Sequence, residues 1–358
     1  MTTEPRELMR RLANWEAPEG TGVLSVYLEM RPAAPGSGDR PEMRTGDVVL
    51  KDRLHQIEKS LLPRGPGLDS FRVDRPRIES ELAGDISGVA GLAIFACSAG
   101  NLFEVVRSGT PFKNRVIYGP RPALFQLARL VDEFEPAVVA VADTNTLRLF
   151  AVQFGGMEEV GGRDEDSINF QKRSTGGWSQ ARYQRHIEKH REDFAREAAG
   201  VIRDVMEQEG ATRLVLAGDE VVIPLLQAAL PRDLLDRLAG DALRIHIRAS
   251  KNEVAAEVAE VLAAAEERDS LAIADALVGE VLSDDLGVAG VADSRQALTA
   301  GAGDVLVIAD SFEPAEVRNE LTRLAVQTGA EVEVVSGHEG LESLGGVGVL
   351  LRYRAWGS

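Results

Sequence analysis

Two adjacent glycines and a tryptophan lie between basic residues in the segment QKRSTGGWSQARYQRHIEKHR, residues 171–191. Residues 172–191 contain six lysines and arginines and one acid, Glu188, which gives them a local charge of +5. The 358-residue chain carries −17, so the rest of it carries −22. The net charge argues against broad coating of nucleic acid, whereas this local concentration indicates a contact with phosphate.

The residue types around the glycines suit such a contact. Gly176 and Gly177 carry no side chains, so a loop there can approach another backbone closely. Trp178 can stack on a base, and Ser179 is a predicted helix N-cap whose neighbouring amides face an anion. The remaining predicted RNA-binding residues are Lys172, Arg173, Arg182, Tyr183, Arg185 and Lys189.

Helical periodicity predicts a long helix from about Ser179 to Glu209. Its apolar stripe contains Ile187, Phe194, Ala198, Val201, Ile202 and Val205. Its opposite ridge contains Arg182, Arg185, Lys189, Arg196 and Arg203. At about 1.5 Å per residue the helix extends about 45 Å, and we expect its N-terminal end to project from its domain. Solvated surface helices also carry charged ridges, but they mix signs for i,i+4 pairing, so the basic excess favours nucleic acid.

Other arrangements of reactive residues are weaker. His186 and His190 have the i,i+4 spacing of a metal site, but no acid or cysteine completes the set, so we expect no metal and no cofactor. Asp143 and Asp219 follow two predicted strands, where paired carboxylates would suggest a metal-dependent nuclease. Asp at a strand end is more typical of a turn. The sequence contains no phosphate-binding loop of the G-x-x-x-x-G-K-[ST] kind.

Composition favours an ordinary globular protein, with 44% hydrophobic and 27% charged residues. The N-terminal residues lack the apolar segment of a signal peptide, and no run approaches the roughly 18 apolar residues of a membrane span. The single cysteine, Cys97, lies in the apolar run GLAIFACS and cannot form a disulfide within the chain. We therefore expect a cytoplasmic protein with no membrane partner.

The pattern of elements predicts an α/β protein of three domains. Residues 1–121 form an α+β domain with a mostly antiparallel sheet. Residues 122–249 alternate strands and helices, which predicts a mixed α/β sheet. Residues 250–358 form a compact α/β/α domain.

Three details of this assignment matter below. The helix RPALFQLARLVDEF, residues 121–134, is the predicted first element of the second domain. The polar stretch at residues 161–180 is predicted to interrupt the strand pattern. A strand is predicted at residues 242–249, where His246 alternates with isoleucines and has a structural role.

The glycine-rich segment resembles the central domain of archaeal and eukaryotic class 1 release factors. Those proteins carry a Gly-Gly-Gln loop, then a serine and a basic helix with an R-[F/Y]-x-R pattern. The matching positions here are Gly176, Gly177, Ser179, Arg182, Tyr183 and Arg185. The stretches GVADSRQALTAGAGDVLVIAD and LGGVGVLLRY resemble the C-terminal domain of release factors and Pelota, so the resemblance covers residues 122–358. The chain thus looks like the bacterial archaeo-eukaryotic release factor-like family, which includes Balon-type hibernation factors.

This resemblance implies an RNase H-like central domain and a ribosome- or tRNA-associated translation factor of the rescue or hibernation type. The implied partners are rRNA and the tRNA acceptor end in or near the A site, with a translational GTPase as a candidate partner of the third domain. It gives no role to residues 1–121. A soluble protein without a ribosome role is a further alternative.

One departure from the family bears on catalysis. Trp178 occupies the position of the family's catalytic glutamine. An indole has one N–H donor and no acceptor, so it cannot hold a water in the same way. Gln180 and Gln184 lie nearby, and a loop shift would be needed to bring either into place. A peptidyl-tRNA hydrolase that uses Gln180 is therefore the alternative to a binding factor.

Overall fold

The computed structural model describes residues 5–31, 45–84, 88–153, 155–164 and 177–354. Within these ranges the side chains at 5, 45, 163–164 and 177–186 are not described. The chain divides into two compact units, Phe134–Arg268 and a second unit that combines Met1–Glu133 with Asp269–Ser358. We call them the central unit and the terminal unit. The predicted domain bounds at 121/122 and 249/250 stay predictions.

The described elements confirm the predicted α/β class. The helices are α1 Pro5–Ala13, α2 Thr45–Ser60, α3 Pro66–Ala83, α4 Phe125–Glu133, α5 Gly177–Gln208, α6 Val222–Ala229, α7 Arg232–Leu235, α8 Lys251–Leu282, α9 Val291–Thr299, α10 Ala315–Thr328 and α11 Glu339–Ser343. The strands are β1 Val23–Glu29, β2 Gly91–Cys97, β3 Leu102–Ser108, β4 Arg115–Gly119, β5 Ala137–Ala142, β6 Thr146–Gln153, β7 Gly156–Asp164, β8 Arg213–Gly218, β9 Gly287–Ala289, β10 Gly303–Ala309, β11 Glu331–Val335 and β12 Val347–Leu351.

The terminal unit contains two four-stranded sheets in its described residues. The first has the order β3-β2-β1-β4 and is antiparallel throughout, as predicted. Leu54 of α2 and the α3 residues Phe71 and Ile78 pack into its core. The second has the order β11-β10-β12-β9, with β10 and β11 parallel. The short elements β9 and α9 lie where the sequence predicted none. The three residues of β9 are too few for a readable strand pattern.

Helix α4 belongs to the terminal unit and packs with its C-terminal sheet. Phe125 is part of the core that contains Leu306 and Leu321. Its backbone N–H donates to Asn319 Oδ1 at 3.0 Å, and the N–H of Val334 donates to Asp132 Oδ2 at 2.8 Å. Residues that precede the central unit in sequence and residues that follow it therefore contribute to one hydrophobic core.

The central unit contains a mixed sheet of order β7-β6-β5-β8, in which β5 and β8 are parallel. Helices α5 and α6 cover one face, and the first half of α8 covers the other. Ser250 and Glu253 cap the start of α8 reciprocally. The Ser250 N–H donates to Glu253 Oε2 at 2.7 Å, and the Glu253 N–H donates to Ser250 Oγ at 3.3 Å.

The sequence-based prediction was wrong at two places in the central unit. Residues 161–164, predicted as irregular, continue β7. This strand lies at the edge of the sheet and is held by its pairing with β6 on one side only. Gly162 lies so close to β6 that a Cβ there would be 2.4 Å from the Leu147 oxygen. The predicted strand at 242–249 is absent from the described structure, where Leu243 makes an isolated bridge to Ala217.

Arg148 holds the segment that was predicted as this strand. Its Nη1 donates to the carbonyl oxygens of Ile247 and Ala249, both at 2.8 Å. His246 lies in a turn, and its Nδ1 accepts the Arg248 N–H at 3.1 Å, which agrees with a structural role. The alternating apolar residues misled the prediction because they face α8 from a segment without a backbone ladder.

Candidate nucleic-acid interface

Helix α5 carries most of the predicted RNA-binding residues. It spans Gly177–Gln208, 32 residues, or about 48 Å at 1.5 Å per residue. It begins two residues before the predicted start, so Ser179 lies within the first turn instead of at the N-cap. Helix ends vary by one or two residues, and glycine gives little sequence signal for a start.

The predicted site residues fall into three groups. Outside the described residues lie Lys172, Arg173 and Gly176. On the described backbone of α5, with side chains that are not described, lie Gly177, Trp178, Ser179, Gln180, Arg182, Tyr183 and Arg185. The side chain of Lys189 is described and exposed. Because Arg182, Arg185 and Lys189 are spaced by three and four residues, a regular helix puts them on one face.

The apolar stripe of α5 is confirmed from Phe194 onward. Phe194, Ala198 and Ile202 are buried against the central sheet. Val201 and Val205 pack partly against the same core. Among residues 187–193 none is buried, and Ile187 and His190 are half-buried. The described part of the helix before Phe194 therefore contributes no buried residue to the core.

The predicted basic ridge divides into two parts along α5. Residues 177–191 contain four basic residues and one acid, whereas residues 192–208 contain two basic residues and five acids. Arg196 pairs with Asp193 at 2.7 Å and with Glu192 at 3.6 Å, so its charge is balanced within the helix. This pairing was not predicted, although the i,i+3 and i,i+4 spacings of the two acids from Arg196 indicate it. The basic excess belongs to the first half of α5 alone.

The helix dipole does not account for this distribution of charge. A helix favours acids near its N-terminus and bases near its C-terminus. Helix α5 has no acid in its first turn and no base in its last turn. Its net charge of +3 over 177–191 and −3 over 192–208 runs in the opposite sense. The helix therefore gains no stability from this order of charges.

The strand that leads to the glycines is fixed by an ion pair. Arg148 on β6 donates from Nε and Nη2 to the two carboxylate oxygens of Glu159 on β7, at 2.8 and 2.9 Å. This hydrogen bonding raises the pKa of Arg148 and lowers the pKa of Glu159. The bidentate geometry joins β6 to β7, the strand that precedes α5 in the described structure.

The two aspartates considered for a nuclease are turn residues. Asp143 Oδ1 accepts the N–H groups of Asn145 and Thr146 at 2.8 and 2.7 Å. Asp219 Oδ1 accepts the Val221 N–H at 2.6 Å. Neither belongs to a cluster of three or more metal-type ligands among the residues with described side chains. The turn interpretation is confirmed.

None of the described helices is long and apolar enough to span a membrane.

One family model matches part of the chain. Residues 122–263 match the model of Bacterial archaeo-eukaryotic release factor family 10. The predicted resemblance is thus confirmed over a segment that contains all of α5. A search of curated proteins found no match.

Several solved structures are similar to the chain. The archaeal translation termination factor aRF1 is 20% identical, with 98% of this chain and 99% of that chain covered and a TM-score of 0.30. Pelota from Archaeoglobus fulgidus is 17% identical, with coverage of 74% and 80% and a TM-score of 0.34. A ribosome-bound archaeal Pelota, described together with ABCE1, is 14% identical, with coverage of 99% and 95% and a TM-score of 0.45.

Proposed function

We propose that this chain is a translation factor of the rescue or hibernation type that binds the ribosome in or near the A site through residues 172–191. One observation carries the proposal. The basic excess of α5 is confined to the half that contributes no described buried residue. This half begins at the second of two adjacent glycines, in a segment that matches a release factor family. A cytoplasmic location follows from this function.

Each predicted RNA-binding residue of the segment has a proposed contact. Arg182, Arg185 and Lys189 meet phosphates of rRNA or of the tRNA acceptor end. Gly176 and Gly177 allow the backbone to approach the RNA closely. Lys172, Arg173, Ser179 and Tyr183 extend the same surface, and Trp178 stacks on a base.

The residue at the catalytic position supports binding over hydrolysis. Trp178 stands where the family has its glutamine, and an indole offers no acceptor for a water. Residues 250–358 would engage a protein partner, and a translational GTPase is the candidate. This part of the proposal rests on the resemblance of those residues to release factors and Pelota.

Gln180 supports a second candidate, a peptidyl-tRNA hydrolase. It lies in the first turn of α5, two positions after Trp178, near the positive end of the helix dipole. The two candidates differ in one assay, the release of peptide from peptidyl-tRNA on stalled ribosomes. A binding factor gives no release, whereas turnover that Gln180→Ala abolishes establishes the hydrolase.

Ribosome binding is tested by sedimentation through sucrose at several salt concentrations. We expect the triple variant Arg182→Gln, Arg185→Gln, Lys189→Gln to lose at least tenfold in affinity. The slope of affinity against salt should fall by about one for each phosphate contact removed. The matched control is Arg196→Gln with Arg203→Gln, which removes charge from the other half of the same helix. Equal binding by the triple variant and the control would contradict the proposal.

A further inference from the structure

Four basic side chains of the terminal unit lie together where α10 begins. They come from three parts of the chain, namely Lys113 and Arg115 before and at the start of β4, Arg129 on α4 and Arg318 in the first turn of α10. The carboxylates paired with them in the described structure are Asp310, Glu313 and Glu133. Positive charge therefore exceeds negative charge by one in this cluster.

Arg318 is the buried member of the cluster, with 7% of its surface exposed. Its guanidinium lies over the Phe125 ring, 4.1 Å from the centroid, and Nη1 donates to the Asp310 carbonyl at 3.1 Å. Its Nε has no hydrogen-bond partner among the described residues. Burial, opposed by the attraction of Glu313, lowers the pKa of Arg318. A buried cation with an unused donor is costly unless an anion compensates it.

The two nearby carboxylates are used unequally. Asp310 is 2.7 Å from Lys113 Nζ and 3.4 Å from Arg129 Nη1, so it serves those two cations. Glu313 is exposed, and its Oε1 is 3.7 Å from Arg115 Nη2 and 4.0 Å from Arg318 Nη2. Both distances exceed the donor–acceptor distance of a hydrogen bond. Arg115 and Arg318 thus share one exposed carboxylate that neither holds closely.

We propose that Arg115 and Arg318, at the N-terminus of α10, bind a phosphate group that takes the place of Glu313. Two guanidinium groups offer paired N–H donors that match phosphate oxygens, and a helix N-terminus favours an anion. The helix is 14 residues long, so its dipole is well developed. Lys113 and Arg129 stay with Asp310 and add positive potential. This site lies in the terminal unit and is independent of the function proposed for α5.

Calorimetric titration of the full chain with inorganic phosphate tests the site. We expect Arg115→Gln to weaken phosphate binding about tenfold, the usual effect of losing one charge-assisted hydrogen bond. Glu313→Gln removes the competing carboxylate and should tighten binding several-fold. The matched control is Arg107→Gln, which removes another half-exposed arginine, paired with Glu81 at 2.7 Å. Circular dichroism confirms that each variant is folded.

The outcomes separate the proposal from a purely structural salt-bridge cluster. No phosphate binding by either the native chain or Glu313→Gln would overturn it. Equal affinities of Arg115→Gln and Arg107→Gln would also overturn it. A short single-stranded RNA is then titrated against the phosphate-loaded protein. Displacement that depends on Arg115 identifies the phosphate as part of a nucleic acid, and lack of displacement identifies a small phosphate compound, either of which supports the site.

Discussion

Residues 192–208 of α5 pack against the central sheet. In the first half of the helix the side chains are described for residues 187–191, and none of these is buried. The second half contains more acids than bases, and its Arg196 is paired with Glu192 and Asp193. The first half leaves its bases in excess. One continuous helix thus contains a part specified by folding and a part whose composition folding does not explain. The unexplained part is the better guide to function.

Removal of a large core side chain should show the largest difference between the halves. We expect Phe194→Ala to lower the free energy of unfolding by about 3–5 kcal/mol, because a fully buried ring is lost. Ile187→Ala, in the half-buried first part, should cost less than about 1 kcal/mol. Urea denaturation followed by circular dichroism measures both. Similar costs would show that the first half is as well packed as the second.

Charge reversal should give a smaller effect with the opposite dependence on position. Lys189→Glu should weaken ribosome binding about tenfold, since one phosphate contact is replaced by repulsion. Arg203→Glu, exposed on the second half, should leave binding unchanged. Equilibrium sedimentation with ribosomes at fixed salt compares the two. Equal losses would erase the functional distinction between the halves.

The smallest expected effect concerns Arg196. Arg196→Gln removes its two intrahelical ion pairs and should cost about 0.5 kcal/mol in stability at low salt, with less at high salt. Thermal denaturation at two salt concentrations tests this, and ribosome binding should not change. A clear loss of ribosome binding would place Arg196 in the RNA contact after all.

Much of the fold could be predicted because long elements carry redundant signals. Helix α8 has 32 residues and a serine–glutamate cap, and β5 is apolar and buried at every position. The failures are segments positioned by contacts distant in sequence. Strand β7 is recognisable only through its pairing with β6, and residues 242–249 show strand-like alternation while lying beside β8 without a ladder.

The candidate site was predictable in its charge and not in its geometry. The bases of residues 172–191 and the glycines are visible in the sequence, and the family match agrees with the resemblance they suggested. The end of the basic excess at residue 191 can be counted in the sequence, but the burial of α5 from Phe194 onward required the structure. Periodicity alone assigned Arg196 and Arg203 to the same ridge as Lys189.

Arg148 donates hydrogen bonds to Glu159 and to the carbonyl oxygens of Ile247 and Ala249, and this has a consequence for sequence comparison. A lysine there would conserve the charge, but an ammonium is a point donor and cannot reach two carbonyls and a carboxylate in one plane. An exchange usually scored as conservative would therefore release the turn around His246 from its anchor. Relatives that carry lysine at this position must tether that turn by other means, and an alignment column that treats the two residues as equivalent would conceal the change.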